Sequence, residues 1–340
     1  MFRNIALKIS QKVIGFLFKF KNNNTLRIKK YNQICILFNQ QHDKVIRDYY
    51  LYCFDLIVQN IATLDCRCNI ILGNYSYQFN NPYPTIKIGF QIEHTLVKPG
   101  GRTSESEEAR AGVVPIVGTV ASTYLVRIDN YNNLKDVDII IDYSRPNIIN
   151  IQKCGRYATL TKKLFHIAPL LYDVDKGMVP SQRNLEVITL FGNPDEPRRR
   201  HFLNALASHG IECTNINNRF HDVDLLYRRT KILINIRQTD HHDTLEELRI
   251  LPALRCGTIV ISEIAPLIES IGYSRFILWS NLEDLPKLVK DVLTNYDSYH
   301  QTIFSGESFT RRMKRLELRN EINATRIGNR INQIALSPQL

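Results

Sequence analysis

The first thirty residues contain no acidic side chain. They carry eight Lys or Arg, a local charge of +8, and residues 311–340 add seven basic against two acidic groups, or +5. The whole chain stands at +11, so the 280 residues between sum to −2. A near-neutral body with charge at its ends excludes a basic groove through the fold and places a basic surface at the termini. No nucleic acid is therefore expected as a partner. Long apolar runs are also lacking. The stretch 5–20 is interrupted by Lys8, Lys12 and Lys19, and no small-residue cleavage site follows it, which excludes a membrane span there and a cleaved signal. No Gly-x-Gly-x-x-Gly follows a strand pattern, which counts against a nicotinamide enzyme. Repeats and long low-complexity segments are absent. Seven scattered cysteines do not form pairs by spacing, and Cys66-Arg-Cys68 lacks the second pair that zinc needs. Several lie within apolar patterns, where a free thiol acts as a small hydrophobe. A reducing, cytoplasmic setting is expected.

What is present is an alternation of strand and helix patterns. With 340 residues, 44% hydrophobic and 23% charged, the chain can bury two cores. Residues 1–30 read as a basic amphipathic leader: on a helix Ile9, Val13, Phe16 and Phe20 share one face while the three lysines share another. That combination suits an anionic membrane surface, with acyl contact on one side and headgroups on the other. A strand over 33–39, a helix from Asp43 to about Leu64, and strands at 69–72, 86–90, 124–128 and 137–141 make residues 31–170 a first α/β, Rossmann-like domain. Residues 171–184, with Gly177 and Pro180, read as a hinge. A second α/β domain spans 185–300, and 301–340 form a basic, Arg-rich C-terminal helix.

The clearest unit runs from Val187 to Glu263. The strand 187–191 turns at Gly192-Asn193-Pro194, and a helix from Glu196 with Phe202, Leu203, Leu206 and Ala207 as its stripe stops at Gly210. A second strand, 232–236, leads into the polar loop 237–243. A helix from Thr244, with Leu245, Leu248, Leu251 and Leu254, ends at Cys256-Gly257, and a third strand closes at Glu263. This order is that of a parallel sheet with crossover helices. Ligands of such sheets bind beyond the carboxyl ends of the strands, where Gly192 and the 237–243 loop both fall.

Three ordered blocks narrow the class: Leu190-Phe-Gly-Asn193 with Arg198-Arg-Arg-His201 and Gly210; Lys231 to Arg237, including Asn235; and Glu247-Leu-Arg249 with 251–263. Together they resemble the donor domain of GT-B glycosyltransferases, nearest in feel to the family 1 and spore-maturation types. The resemblance covers about residues 185–300. It implies two Rossmann-like domains facing a cleft, a nucleotide-diphosphate sugar as donor substrate, no other cofactor, no metal, and a glycan or lipid-linked acceptor. A tail helix that returns to the first domain would bring both basic ends to one side, on an enzyme peripheral to a membrane.

The resemblance also gives residues roles. Gly192 and Asn193 form the turn where backbone approaches the donor, and the helix that follows offers N–H groups to phosphate. Arg237, Arg198 or Arg199 neutralises the departing diphosphate. Asn235 and His241 border the donor. Glu246 or Glu247 holds the ribose hydroxyls, because Pro252 stands where the family commonly has Glu; Arg249 matches the spore-maturation variant. In the first half, Glu93-His94-Thr95 follows a strand, where a base that takes the acceptor proton would stand. An inverting enzyme would use Glu93 or His94. A retaining one would let the diphosphate accept the proton.

Plainer readings stand beside these. Gly192 also suits an ordinary strand-to-helix turn, and Glu246 and Glu247 suit first-turn acids that favour the helix dipole. The run Asp240-His241-His242-Asp243 has ligand chemistry, but four neighbours on one loop cannot converge on one ion. Asp243 suits a helix cap. The alternatives to an enzyme are a non-catalytic protein with the same fold, which Pro252 favours, and a nucleic-acid-associated protein using its basic termini, against which the near-neutral body counts.

Overall fold

A computed structural model describes residues 26–31, 34–39, 44–61, 66–73, 77–93, 95–100, 113–115, 123–128, 131–172, 183–216, 223–240, 243 and 245–337. The amphipathic stretch 5–20, His94, the loop 101–112, most of the expected hinge, His241, His242 and Thr244 lie outside these.

Two mainly parallel sheets carry the architecture. Strands β1 (Leu26–Tyr31), β2 (Ile34–Asn39), β3 (Cys68–Leu72), β4 (Thr85–Gln91), β8 (Ile139–Asp142) and β9 (Leu164–His166) form the first, in the order β1-β2-β3-β4-β8-β9. Every pairing is parallel except β1 with β2. Strands β10 (Leu185–Thr189), β11 (Thr214–Asn215), β12 (Thr230–Asn235), β13 (Ile259–Glu263) and β14 (Leu278–Ser280) form the second, wholly parallel, in the order β11-β10-β12-β13-β14. Three short strands, β5 (Leu96–Val97), β6 (Val113–Pro115) and β7 (Thr123–Val126), pair antiparallel as β5-β7-β6. The central strands are covered on both faces. Every residue of β3, β8 and β13 is buried, which is why they read as unbroken apolar runs rather than alternating ones.

Nine helices are described: α1 (Lys44–Ile61), α2 (Tyr131–Leu134), α3 (Arg145–Lys153), α4 (Pro197–Ser208), α5 (Val223–Arg229), α6 (Glu247–Arg255), α7 (Leu285–Thr294), α8 (Tyr296–Phe304) and α9 (Glu307–Leu336). The glycines expected to stop α4 and α6 do so. Gly210 and Gly257 have φ of 70° and 75°, and the N–H groups of Ile211 and Thr258 reach back to Leu206 and Ala253, the closure that only a left-handed residue permits cheaply.

Two boundaries are corrected. Residues 26–30 belong to β1 rather than to a leader. The alternation Leu26-Arg27-Ile28-Lys29 is that of a half-exposed edge strand, and its basic members disguised it. Helix α6 begins at Glu247 rather than Thr244, with Glu246 at its capping position, and the Asp243 N–H before it bonds to the Leu96 carbonyl of β5 (3.4 Å).

The C-terminal helix α9 packs against α1 and β9. Asn320, 1% exposed, donates to the Tyr52 hydroxyl (2.9 Å) and the Ala168 carbonyl (2.8 Å) while accepting from the Ala168 N–H (2.9 Å). Asn323 donates to the His166 carbonyl, and Gly328 lies close against Asn60. Tyr172 ties the halves further: its hydroxyl donates to Asp48 of α1, and its carbonyl accepts from Arg255 of α6, which also pairs with Glu317. Buried apolar residues from both sheets share one cluster, and a second cluster joins Ile140 of β8 to Leu96, Tyr124 and Val126 of the small sheet. All seven cysteines are free, and burial pushes the Cys68, Cys213 and Cys256 thiols up to about 12, as inert hydrophobes require.

Candidate active site

A cleft of about 320 Å³ opens beyond the carboxyl ends of β12 and β13. Four elements supply its central side chains, and residues 264–266 and 281–283 complete the lining. Arg198 comes from the first turn of α4; Arg237, Asp240 and Asp243 come from the loop after β12. Glu263 ends β13, and Lys98 and Tyr124 reach in from the small antiparallel sheet.

Glu263, 5% exposed, is the centre of this arrangement. Arg198 forks onto both of its carboxylate oxygens, with Nη1 to Oε2 at 2.9 Å and Nη2 on Oε1. Arg237 adds its guanidinium on Oε1 and its backbone N–H on Oε2 (3.3 Å). Burial works to raise the Glu263 carboxyl, but the hydrogen bonds from Arg237 and Arg198 outweigh it and hold it below the usual range. Arg198 also reaches Asp240 (Nε to Oδ1, 2.5 Å), and Arg237 pairs through Nη1 with Asp243. Asp243, 2% exposed, takes the Tyr124 hydroxyl and faces Lys98 Nζ at 3.5 Å. Partial burial, then Arg237, lowers the Lys98 pKa. The result is a chain of alternating charge from Asp240 through Arg198, Glu263, Arg237 and Asp243 to Lys98.

The expected residues divide. Arg198 and Arg237 both line the cleft, and an adjoining crevice holds Asn235 and Glu246 alongside Arg237 and Glu263. Asn235 donates to the Ser262 hydroxyl at 3.0 Å. Arg199 does not join them. It is 3% exposed, lies over the Phe191 ring at 4.5 Å and donates to the Asn193 carbonyl (3.3 Å). Burial, then Arg249, brings its pKa down to about 10. Its place in the helix turns it inward, so it braces the Gly192-Asn193 turn. Gly192 has open space where a Cβ would stand, so the protein's own packing does not demand glycine there. Arg249 lies 4.0 Å from Glu246.

Glu247 lines neither the cleft nor the adjoining crevice. It is 2% exposed and accepts a 2.7 Å hydrogen bond from Tyr273, and burial raises its carboxyl to about 7. The β8 carboxylate Asp142 is buried nearby in the same electrostatic neighbourhood and is raised well above the usual range by burial. Glu93 is exposed and lies outside the lining of the cleft; its carbonyl accepts from Gln91 and Asn147. His94 and His241 fall outside the described residues. Asp243 does not cap α6, because its carboxylate is committed to Arg237, Tyr124 and Lys98.

Sequence reasoning missed Glu263, Lys98 and Tyr124 as site residues. A carboxylate ending the third strand, opposite Arg237 ending the second, was a usable signal for Glu263. Nothing local marked Lys98 or Tyr124. Among the described residues no group of three His, Cys, Asp or Glu is placed to hold a metal ion. A larger hollow, about 740 Å³, lies at the opposite, amino-terminal ends of β10 and β12. Its cations are already engaged: Arg183 donates to the Tyr227, Thr230 and Cys256 carbonyls, and Lys231 pairs with Glu186. The smaller cleft is the better candidate because it lies at the carboxyl-terminal edge of the parallel sheet, where ligands of such sheets bind.

Known proteins resemble this chain as follows. No family model matches it. An uncharacterized protein, R358, of Acanthamoeba polyphaga mimivirus is 32% identical over 197 residues, which is 53% of this chain and 65% of that protein. The chain thus covers just under two thirds of its relative's length. Among solved structures, accessory secretory proteins 1, 2 and 3 of Streptococcus pneumoniae align over 93% of this chain and 65% of theirs, at 8% identity and a TM-score of 0.39. An alpha-glucosyltransferase in complex with UDP and a 13-mer DNA containing a HMU base aligns over 85% of this chain and 84% of its own, at 10% identity and a TM-score of 0.36. Both scores are too low for the likeness to carry an argument about chemistry.

Proposed function

We propose that this protein is a glycosyltransferase that moves a sugar from a nucleotide-diphosphate donor to a glycan or lipid-linked acceptor. Residues 31–170 and 185–300 act in this reading as two Rossmann-like domains around the cleft, with the donor on the second. The observation that supports it most is the convergence of Arg198 and Arg237, which follow the neighbouring strands β10 and β12, on one cleft beyond the carboxyl ends of parallel strands. Glycosyl transfer from such a donor releases a diphosphate, and fixed guanidinium groups stabilise that developing charge. Glu263 fits the task of holding both arginines extended and pre-oriented. Lys98 stands on the far wall beside Asp243 (3.5 Å) with 37% of its side chain exposed, on the side from which a phosphate would enter. Asn235 and Glu246 in the adjoining crevice are the remaining donor-side polar groups, and Glu246 is the acid left for the ribose now that Glu247 is buried.

One observation favours a second reading, a binding protein without transferase activity. Asp240, Asp243 and Glu263 already neutralise the two arginines, and a phosphate must displace at least one of them.

Thermal-shift measurements with UDP, GDP and ADP test the proposal, on wild type and Arg237→Ala. A ligand that binds the folded state raises the melting temperature by mass action. A shift with one nucleotide that disappears in the folded variant is expected. No shift with any nucleotide, together with no hydrolysis of nucleotide sugars, would overturn the enzyme reading and favour the second.

A further inference from the structure

Helix α9 has thirty residues, about 45 Å at the usual rise. One side is buried: Phe309, Met313, Leu316, Asn320, Ala324 and Ile331 face the body. Three of the five large apolar side chains that stand exposed among the described residues are on this one helix: Leu318 at 55%, Ile322 at 51% and Leu336 at 66%. At 100° per residue they lie on the side opposite the buried stripe, and Leu318 and Ile322 are one turn apart. Single exposed leucines need no explanation, but a row of them on one face of a helix does.

The same outer side is cationic. Arg315, Arg319, Arg326 and Arg330 are all exposed. Arg312, beside them, is pushed below its ordinary value by partial burial and then by three like charges, Arg275, Arg315 and Arg319. Arg275 comes from the turn Ser274–Phe276 of the second half, so the basic ground extends past the helix. The acids of α9 do little to offset it: Glu307 pairs with Arg311 (3.5 Å), Glu317 turns toward Arg255, and Glu321 is left. Folding thus holds together several positive charges that repel one another, around apolar side chains that water solvates poorly.

We infer that the outer face of α9 docks this protein on an anionic lipid surface, with Leu318 and Ile322 entering the headgroup boundary and Arg312, Arg315, Arg319 and Arg326 meeting lipid phosphates. A long, straight face carrying both elements suits a membrane, where each nearby Arg adds to attraction and each apolar side chain to insertion. Long arginine side chains can lie along apolar surface while their heads reach phosphate. A single-stranded nucleic acid fits less well, since it calls for aromatic side chains on which bases stack, and the only aromatic residue of α9, Phe309, is buried. The inference does not rest on the donor site: it holds or fails whether or not a nucleotide binds.

Co-sedimentation of the full chain with phosphatidylcholine vesicles, with and without phosphatidylserine, tests it. Wild type is expected to bind only the anionic vesicles, less so as salt rises. The double variant Arg315→Ser/Arg319→Ser should bind roughly thirtyfold more weakly, from about 1 kcal/mol per basic residue near the surface. Leu318→Ser/Ile322→Ser tests insertion separately and should weaken binding by about tenfold or more. All four positions are exposed, so both variants should keep the wild-type melting temperature. No binding to anionic vesicles would overturn the inference. So would equal binding by wild type and both folded variants, which would place the contact elsewhere on the chain. Binding of single-stranded RNA but not of vesicles would replace the partner altogether.

Discussion

Arg198 and Glu263 form a two-pronged ion pair at the carboxyl edge of the second sheet, with both carboxylate oxygens taken by one guanidinium. The pair is largely removed from water, and Arg237 closes on the same carboxylate from the neighbouring strand end. Such a planar match fixes direction as well as charge. It makes the candidate site rigid before any ligand arrives.

Replacing Glu263 by Gln should therefore expose what the carboxylate does. Breaking one side of a buried ion pair costs about 3–5 kcal/mol, so the melting temperature should fall. The Glu263 carboxyl lies below its ordinary range when folded, so its stabilisation is full above that range and is lost as pH falls through the lowered value. The wild-type disadvantage at acid pH should shrink in the variant, and the freed arginines should bind inorganic diphosphate more tightly. Unchanged stability and unchanged diphosphate binding would mean that the pair does not hold the arginines.

Tyr124 and Asp243 are 119 residues apart in sequence and joined by the tyrosine hydroxyl. Tyr124→Phe removes that donor from a buried carboxylate while keeping the ring. A loss of about 1–3 kcal/mol is expected from chemical denaturation. A variant as stable as wild type would indicate that Lys98 and Arg237 satisfy Asp243 alone.

Glu247 gives a pH dependence of opposite sign. Its carboxyl is raised from 4.5 to about 7 by burial, so the folded state prefers the protonated form. That preference contributes fully below 4.5 and is lost as pH rises through 7, a difference of about 3 kcal/mol. Glu247→Gln keeps an acceptor for Tyr273 and carries no charge. Melting curves from pH 5 to pH 8 should fall less steeply in the variant. Some slope should persist, because Asp142 is raised as well. Parallel curves would show that Glu247 is solvated and charged.

Asn320 is the polar clasp between α9 and the first sheet, with three hydrogen bonds. Asn320→Ala strips the Ala168 N–H and carbonyl of their partner and should cost about 2–3 kcal/mol. Hydrogen exchange should then accelerate in α9 before it does in β12 and β13. Uniform acceleration across the chain would show that the helix does not open on its own.

Much of this arrangement was legible locally. Strands β10, β12 and β13, the helices α4 and α6 and their closing glycines follow from period and punctuation, since each depends on residues a few positions apart; the short strands β11 and β14 carry no such signal. Arg198 and Arg237 were legible because a parallel sheet sends every strand end to the same edge. Strand β1 was not, because an edge strand that interleaves Arg27, Lys29 and Lys30 with Leu26 and Ile28 has the composition of a basic tail. The inward turn of Arg199 was not legible either, since Arg198, Arg199 and Arg200 are alike in sequence and differ only in which side of α4 each occupies.

The sequence by itself determined the longer elements, the parallel order of β10, β12 and β13 and the edge to which two arginines belong. Only the tertiary structure decided what those arginines touch. Glu263, Asp243, Tyr124 and Lys98 come from distant positions, and their meeting depends on how the small antiparallel sheet lies against the second sheet's edge. It also decided that Glu247 is buried while Glu246, one residue away, reaches a crevice, and that one side of α9 is left to solvent. Periodicity assigns a residue to a face of its own element. Which faces are covered is set by packing between elements, and burial then fixes the charge each group can carry.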